Sequence, residues 1–270
     1  MNKEQNKMVS VAIAGATGRM GRMLLEAARE TQGVTVAAAF DRVEACADAP
    51  VVAGVTVGQD ARAAIAAADC LIDFTRPEAT LAHLALACEL GKAVVIGTTG
   101  FDDAGRAAIA QAAKKVPVVF APNMSLGVNA VFRLLEQAAA MLNEGYDVEV
   151  LEMHHRHKVD APSGTALRMG ELIARAQGKD FAPNAVLSRE GVTGPRRAGT
   201  IGFATLRGGD EVGEHTVIFA GTGERIEISH RSTSRMSYAS GALAAARFLQ
   251  GRQAGLYDMQ DVIGAAAAQD

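Results

Sequence analysis

The chain has 270 residues, 49% of them hydrophobic and 21% charged, so it can bury a sizeable core and is not disordered over most of its length. Its formal net charge of −3, its 4% aromatic content and its lack of Trp exclude the basic excess and stacking platforms of a nucleic-acid binder. Cys46, Cys70 and Cys88 form no CxxC pair, the opening MNKEQNK is polar, and no apolar run is long enough to span a membrane. A cytoplasmic protein without membrane or nucleic-acid partners is expected.

In chain order, short apolar runs predict buried strands over Met8–Ala14, Val34–Phe40, Cys70–Phe74, Ala93–Ile96 and Val116–Phe120. Helical patterns lie between most of them, over Gly18–Thr31, Pro77–Leu90 and Asp103–Lys115. Continuous apolar strands separated by helices mean βαβ units and a parallel sheet covered on both faces. The pattern then changes. Met124–Asn143 reads as a long helix ended by Gly145, Asp147–Met153 as an alternating strand, and Ser163–Gln177 as a helix. Thr200–Leu206, Glu214–Ala220 and Arg225–His230 read as antiparallel hairpins joined by Gly208-Gly209-Asp210 and Gly221-Thr222-Gly223. A helix over Ser237–Leu249 and a short tail follow, with a frayed end at Ala265–Ala268. The chain is thus α/β: a doubly wound dinucleotide-type domain, then an α+β domain with a different, largely antiparallel sheet. Ala121-Pro122-Asn123 is the hinge candidate.

Gly15-Ala16-Thr17-Gly18-Arg19-Met20-Gly21 follows the first strand and opens a helix. Glycines permit close backbone approach, and a helix N-terminus favours a pyrophosphate. The spacing is GxxGxxG, with Thr17 at the position of the usual second glycine. Asp41 ends the second strand, where an acid accepts ribose hydroxyls, and the adjacent Arg42 suits a 2′-phosphate. Asp73-Phe74-Thr75-Arg76-Pro77 and Gly97-Thr98-Thr99-Gly100 are further turns at strand ends, the ligand edge of an open α/β sheet.

His154-His155-Arg156-His157-Lys158 is the densest cationic, titratable patch. On an extended segment His155 and His157 would share one face, and His154, Arg156 and Lys158 the other. Lys holds a carboxylate and His donates a proton near neutral pH. Ser163 is a candidate N-cap that would leave the N–H groups of Gly164 and Thr165 to a second carboxylate. The pattern suggests a pocket for a small dicarboxylate with a proton donor beside it. Zinc held by the histidines, an exposed basic strand end, a dehydrogenase of another small acid, and a dinucleotide sensor without turnover are the competing readings. No third ligand stands at a familiar zinc spacing, and no metal is expected.

The segments Val11–Arg22 and His154–Thr165 together closely resemble the 4-hydroxy-tetrahydrodipicolinate reductase family, the dihydrodipicolinate reductases of the bacterial diaminopimelate route to lysine. The likeness continues through Asp73–Pro77, Gly97–Gly100, Ala121–Asn129, Gly199–Leu206, Val212–His215 and Ser234–Met236. It implies a Rossmann-like domain over residues 1–125, completed by 236–270, and a substrate and tetramerisation domain over 126–235, in a homotetramer. It implies reduction of the hydroxylated cyclic imine by NADH or NADPH, with loss of water. By position, His154 resembles the family's proton donor and Lys158 its second proton-donating or activating group. His155, Lys158, Ser163, Gly164 and Thr165 fall at the substrate. Gly15, Ala16, Thr17, Gly18, Arg19, Met20, Asp41, Arg42, Arg76, Gly97, Thr98, Thr99, Ala121, Pro122, Asn123 and Met124 fall at the cofactor. Asp41 stands where some members have Glu, and Met124 where some have Phe. Closure about Pro122 and a second hinge near Ser234 is expected.

Overall fold

The computed structural model describes residues 8–46 and 50–267. Its elements in chain order are β1 (Val9–Ala14), α1 (Arg19–Glu30), β2 (Val34–Phe40), β3 (Val51–Val52), β4 (Val55–Gly58), α2 (Ala61–Ala66), β5 (Cys70–Asp73), α3 (Pro77–Leu90), β6 (Ala93–Ile96), α4 (Asp103–Ala112) and β7 (Pro117–Phe120). There follow α5 (Leu126–Met141), β8 (Asp147–His154), α6 (Gly164–Ala176), α7 (Phe181–Asn184), β9 (Ala185–Val186), β10 (Ile201–Arg207), β11 (Gly213–Ala220) and β12 (Arg225–Ser232). The chain closes with α8 (Met236–Phe248), β13 (Gly255–Tyr257) and α9 (Met259–Ala267). Two compact units result: the residues up to Leu126 with those from Met236 onward, and Gly127–Arg235.

The first unit is built on a sheet of order β13-β7-β6-β5-β1-β2-β4-β3, parallel except for the β3–β4 pair. Its central strands are buried on both faces, as their continuous apolar runs require: Val11, Ala12, Ile13, Ile72, Val94 and Val95 have almost no exposed surface. Helix α3 starts with Pro77 in its first turn and stops at Gly91, which takes the left-handed conformation (φ 65°). Helix α8 buries Ala239, Ala242, Leu243, Ala245 and Ala246 in the core that α1 and β1 share. A small residue is required where it meets the segment between β7 and α5, because a Cβ on Gly241 would lie 1.8 Å from the carbonyl oxygen of Met124.

The second unit is a mixed sheet of order β12-β11-β8-β10-β9. Alternate residues of β8, among them Val148 and Val150, face α5 and α6 and pack against Leu135, Met169 and Ile173. The opposite face carries Leu151, Met153 and Ile218, half-buried, and Leu206, 48% exposed.

The fold corrects several readings of the sequence. Gly208-Gly209-Asp210 does not close a hairpin: β10 and β11 lie on opposite sides of β8, and β10 runs parallel to both β8 and β9. Only β11 and β12 form the expected hairpin. The segment after His154 is not extended but turns, with the Lys158 N–H donating to the His155 carbonyl at 3.1 Å and the Arg156 N–H to that of Gly209 at 3.2 Å. The face alternation expected for His155–Lys158 therefore does not apply. The tail forms β13 and α9, so Ala265–Ala267 are helical, while Ala268 and MNKEQNK lie outside the described residues. Among the described residues no helix is long and apolar enough to cross a membrane.

Candidate active site

In the first unit the strand order reverses between β1 and β5, the place where open α/β sheets bind ligands. The strands β1, β2, β5, β6 and β7 run parallel, so the turns after them gather on one edge. That edge carries Gly15–Met20, Asp41 and Arg42, Arg76, Gly97–Thr99 and Ala121–Met124. Gly15 takes a left-handed φ of 66°, and a Cβ on Gly21 would meet the Gly15 carbonyl oxygen at 2.2 Å. The turn is thus closed down on the start of α1. No side chain caps that helix at Gly18, and its first N–H groups have no partners within the helix. An uncapped helix start behind a glycine turn, at the switch point of the sheet, fits the pyrophosphate of a dinucleotide.

Several of these side chains are engaged by the protein itself. The Asp41 carboxylate accepts from the Thr17 N–H (2.9 Å) and hydroxyl (2.6 Å) on Oδ2, and from the Arg42 N–H (2.8 Å) on Oδ1. Arg42 and Arg76 are exposed. Beneath the edge lies Asp73, fully buried, accepting from the Thr75 N–H and hydroxyl, from the Thr80 hydroxyl, and from His83 Nδ1 at 2.7 Å. Burial opposes its charge, but the hydrogen bonds from His83 and Thr75 outweigh that and hold the carboxyl below its ordinary range. Thr98 shares a hydrogen bond with Thr80 (2.8 Å), so the turns after β5 and β6 are joined through this carboxylate cluster.

In the second unit β8 delivers His154 to the end of the sheet, with 8% of the residue exposed. Its Nδ1 lies 2.6 Å from Glu152 Oε2. Glu152 also accepts both Arg207 Nη atoms, at 2.7 and 2.8 Å, and the Ser163 N–H at 3.0 Å. Burial alone would raise the Glu152 carboxyl; hydrogen bonds from His154, Arg207 and Ser163 overcome it and hold it at about 2. Ser163 caps α6, its Oγ accepting the Ala166 N–H at 3.1 Å, and shares a 2.9 Å hydrogen bond with His215 Nε2. The His215 ring stands edge-on to His154, centroids 5.0 Å apart, and burial with the neighbouring His154 pushes its imidazole down to about 3. Lys158 Nζ is held 2.7 Å from Asp160 Oδ1. His155 Nδ1 is buried without a hydrogen-bond partner. Burial and then the cation of Arg235 push the His155 imidazole below its ordinary value. Gly164 is exposed and Thr165 half-buried at the first turn of α6.

The structure therefore brings His154, Ser163 and the α6 N-terminus into one hydrogen-bonded cluster, with Lys158 on the following loop. Sequence reasoning missed Glu152, Arg207, His215 and Gly213. Glu152 was within reach of it, standing two residues before His154 on a strand and hence on the same face. The other three come from neighbouring strands, and only the register brings them together.

A parallel sheet with a dinucleotide-type edge, joined to a unit bearing a buried acid–base cluster, defines an oxidoreductase of Rossmann-like build that acts on a small molecule. The family model for the N-terminus of dihydrodipicolinate reductase matches residues 9–124, and that for its C-terminus matches residues 127–263. The chain belongs to this family. It is 62% identical to the 4-hydroxy-tetrahydrodipicolinate reductase of Aromatoleum aromaticum, over 98% of this chain and 99% of that one. It is also 62% identical to the enzyme of the same name from Cupriavidus metallidurans, over 95% of this chain and 99% of that one. Among solved structures it resembles the dipicolinate-bound dihydrodipicolinate reductase of Paenisporosarcina sp. TG-14, with a TM-score of 0.77 and 27% identity, covering 94% of this chain and 98% of that one.

Proposed function

We propose that the protein reduces 4-hydroxy-tetrahydrodipicolinate to tetrahydrodipicolinate, with loss of water, in the diaminopimelate route to lysine, using NADH or NADPH. The observation that carries the reading is the cluster in which a buried histidine and a capped helix N-terminus share one carboxylate, in a chain 62% identical to reductases of that name. The first unit binds the dinucleotide along the edge from Gly15–Met20 through Asp41, Arg42, Arg76 and Gly97–Thr99 to Ala121–Met124. The bound nicotinamide supplies the hydride.

The second unit binds the substrate. The ammonium of Lys158, His155 and the N–H groups of Gly164 and Thr165 behind Ser163 take its carboxylates. Loss of water gives a conjugated imine. Hydride addition at its far ring carbon pushes electrons toward the neighbouring carbon, which must take up a proton. His154 carries that proton on Nε2, since Nδ1 is turned to Glu152. Lys158 and the α6 N-terminus offset negative charge as it develops. The sheet face bearing Leu151, Met153, Leu206 and Ile218 suits burial against further copies of the chain, in keeping with a homotetramer.

The test is a coupled assay. Fresh substrate is made from pyruvate and aspartate semialdehyde by the preceding synthase, and loss of NADH or NADPH absorbance is followed. Oxidation that requires every component supports the reading and ranks the two cofactors. No oxidation by protein that binds dinucleotide overturns it.

A further inference from the structure

We propose that Glu152 is a positioning residue that fixes His154 with its proton on Nδ1 and its Nε2 edge open, and that locks this ring to the α6 N-terminus. The inference rests on the reading of His154 as the proton carrier and adds how the protein aims it.

Four hydrogen bonds converge on the Glu152 side chain. Oε2 accepts from His154 Nδ1 (2.6 Å) and Arg207 Nη1 (2.7 Å), and Oε1 from Arg207 Nη2 (2.8 Å) and the Ser163 N–H (3.0 Å). A carboxylate has about four acceptor positions, so none remains for a substrate. The side chain is also 1% exposed, so Glu152 acts only through its neighbours. The two-pronged contact with Arg207 fixes the carboxylate plane. An ionised carboxylate accepts and never donates, so Nδ1 of His154 must carry hydrogen whether the ring is neutral or cationic. Exchangeable protons then pass only through Nε2. The protein keeps that edge clear, because a Cβ on Gly213 of β11 would stand 3.0 Å from it.

The same carboxylate holds the backbone of Ser163, the residue that caps α6. Proton carrier and carboxylate-binding helix start are therefore two hydrogen bonds apart, on a rigid link. The other charged or titratable groups around the ring are Arg207 on β10, His215 on β11, His230 opposite it on β12, and Lys158 and Asp160 on the following loop. The hydrogen bond that the structure gives to Nδ1 is the one with Glu152.

A purely structural Glu152–Arg207 ion pair would leave the histidine tautomer indifferent, and this separates the two roles. Long-range proton–nitrogen NMR spectra of 15N-histidine-labelled protein, recorded with the rings neutral and assigned by loss of the His154 signals in His154→Ala, are expected to show Nδ1 protonated and Nε2 bare. In Glu152→Gln the amide can turn its N–H toward the ring. The expected results are inversion of the tautomer and a fall in kcat of about 10²-fold, with the Kd for NADH unchanged. A neutral wild-type ring with its proton on Nε2 and Nδ1 bare overturns the proposal, as does a folded Glu152→Gln with unaltered tautomer and kcat. If that variant does not fold, the wild-type spectrum decides alone. The tautomer is read without turnover, so an inactive wild-type protein with the expected spectrum sinks the reductase reading and not this assignment of the ring.

Discussion

A single oxygen of Asp41, Oδ2, receives both the N–H and the hydroxyl of Thr17, at 2.9 and 2.6 Å. With Oδ1 accepting from Arg42, three of the roughly four acceptor positions are used to tie the end of β2 to the glycine turn. Little capacity is left for ribose hydroxyls, while Arg42 is exposed beside the same carboxylate. Thr17→Ala releases one acceptor. The Kd for NADH is expected to fall about fivefold relative to that for NADPH, the worth of one hydrogen bond of about 1 kcal/mol. Isothermal titration with both cofactors checks this, and an unchanged ratio would show that Asp41 does not meet the ribose.

His154→Ala and Lys158→Ala are each expected to lower kcat by about 10²-fold or more in the coupled assay. Dinucleotide affinity should stay at the wild-type value in both, because the residues belong to the second unit. Normal turnover in either variant would remove that residue from the reaction.

Two glycines, Gly213 and Gly241, give contrasting outcomes. Gly213→Ala sets a methyl group 3.0 Å from His154 Nε2. The ring must give way by a few tenths of an ångström and the backbone at φ 159° takes on some strain, so kcat is expected to fall about tenfold with a smaller drop in melting temperature than at Gly241. Gly241→Ala instead sets a methyl group 1.8 Å from the backbone oxygen of Met124. Here α8 itself must shift, at a cost of about 1–3 kcal/mol, seen as a lower thermal midpoint. Equal melting temperatures for the two variants would contradict this assignment.

The second unit should lose stability on acidification in two overlapping steps. His215 has its folded value depressed to about 3 from an ordinary 6.5. The unfolded chain therefore binds the extra proton first, and the stability this confers is complete above pH 6.5 and lost as the pH falls toward 3. Glu152, depressed to about 2 from 4.5, is ionised and paired in the fold; its contribution is complete above pH 4.5 and lost as the pH falls toward 2. Each contributes at most about 1.4 kcal/mol per pH unit inside its window. His215→Gln should flatten the dependence between pH 6.5 and 4.5 and leave the lower limb. A thermal-midpoint series across pH 3–8 tests this, and parallel curves for variant and wild type would refute the role of His215.

Much of the first unit was legible in the sequence because its signals are local. Val34–Phe40, Ala93–Ile96 and Pro77–Leu90 are found with the bounds that the apolar runs, Pro77 and Gly91 indicate. Strands covered on both faces are built mostly of apolar residues and so stand out as short apolar runs, and a helix end needs its capping geometry, so each leaves a mark within a few residues. The edge strands β3, β9 and β13 have two or three residues, too few to show a period. The turn at Gly208–Asp210 says that the chain changes direction but not which strand it meets next, and β8 lies between the two strands read as a hairpin.

The sequence by itself determined the class of the fold, the glycine turn, and the histidine–lysine segment ahead of a capped helix. Tertiary structure decided what surrounds His154 beyond its own strand. Arg207 stands 55 residues from Glu152, and His215 stands 52 from Ser163. Thr205, Glu152, His215 and His230 form one row across four strands only because the register sets them opposite one another. Local periodicity assigns each residue a face of its own strand. Which residue lies beside it on the next strand depends on pairing between distant segments, set by how the whole sheet packs against α5 and α6.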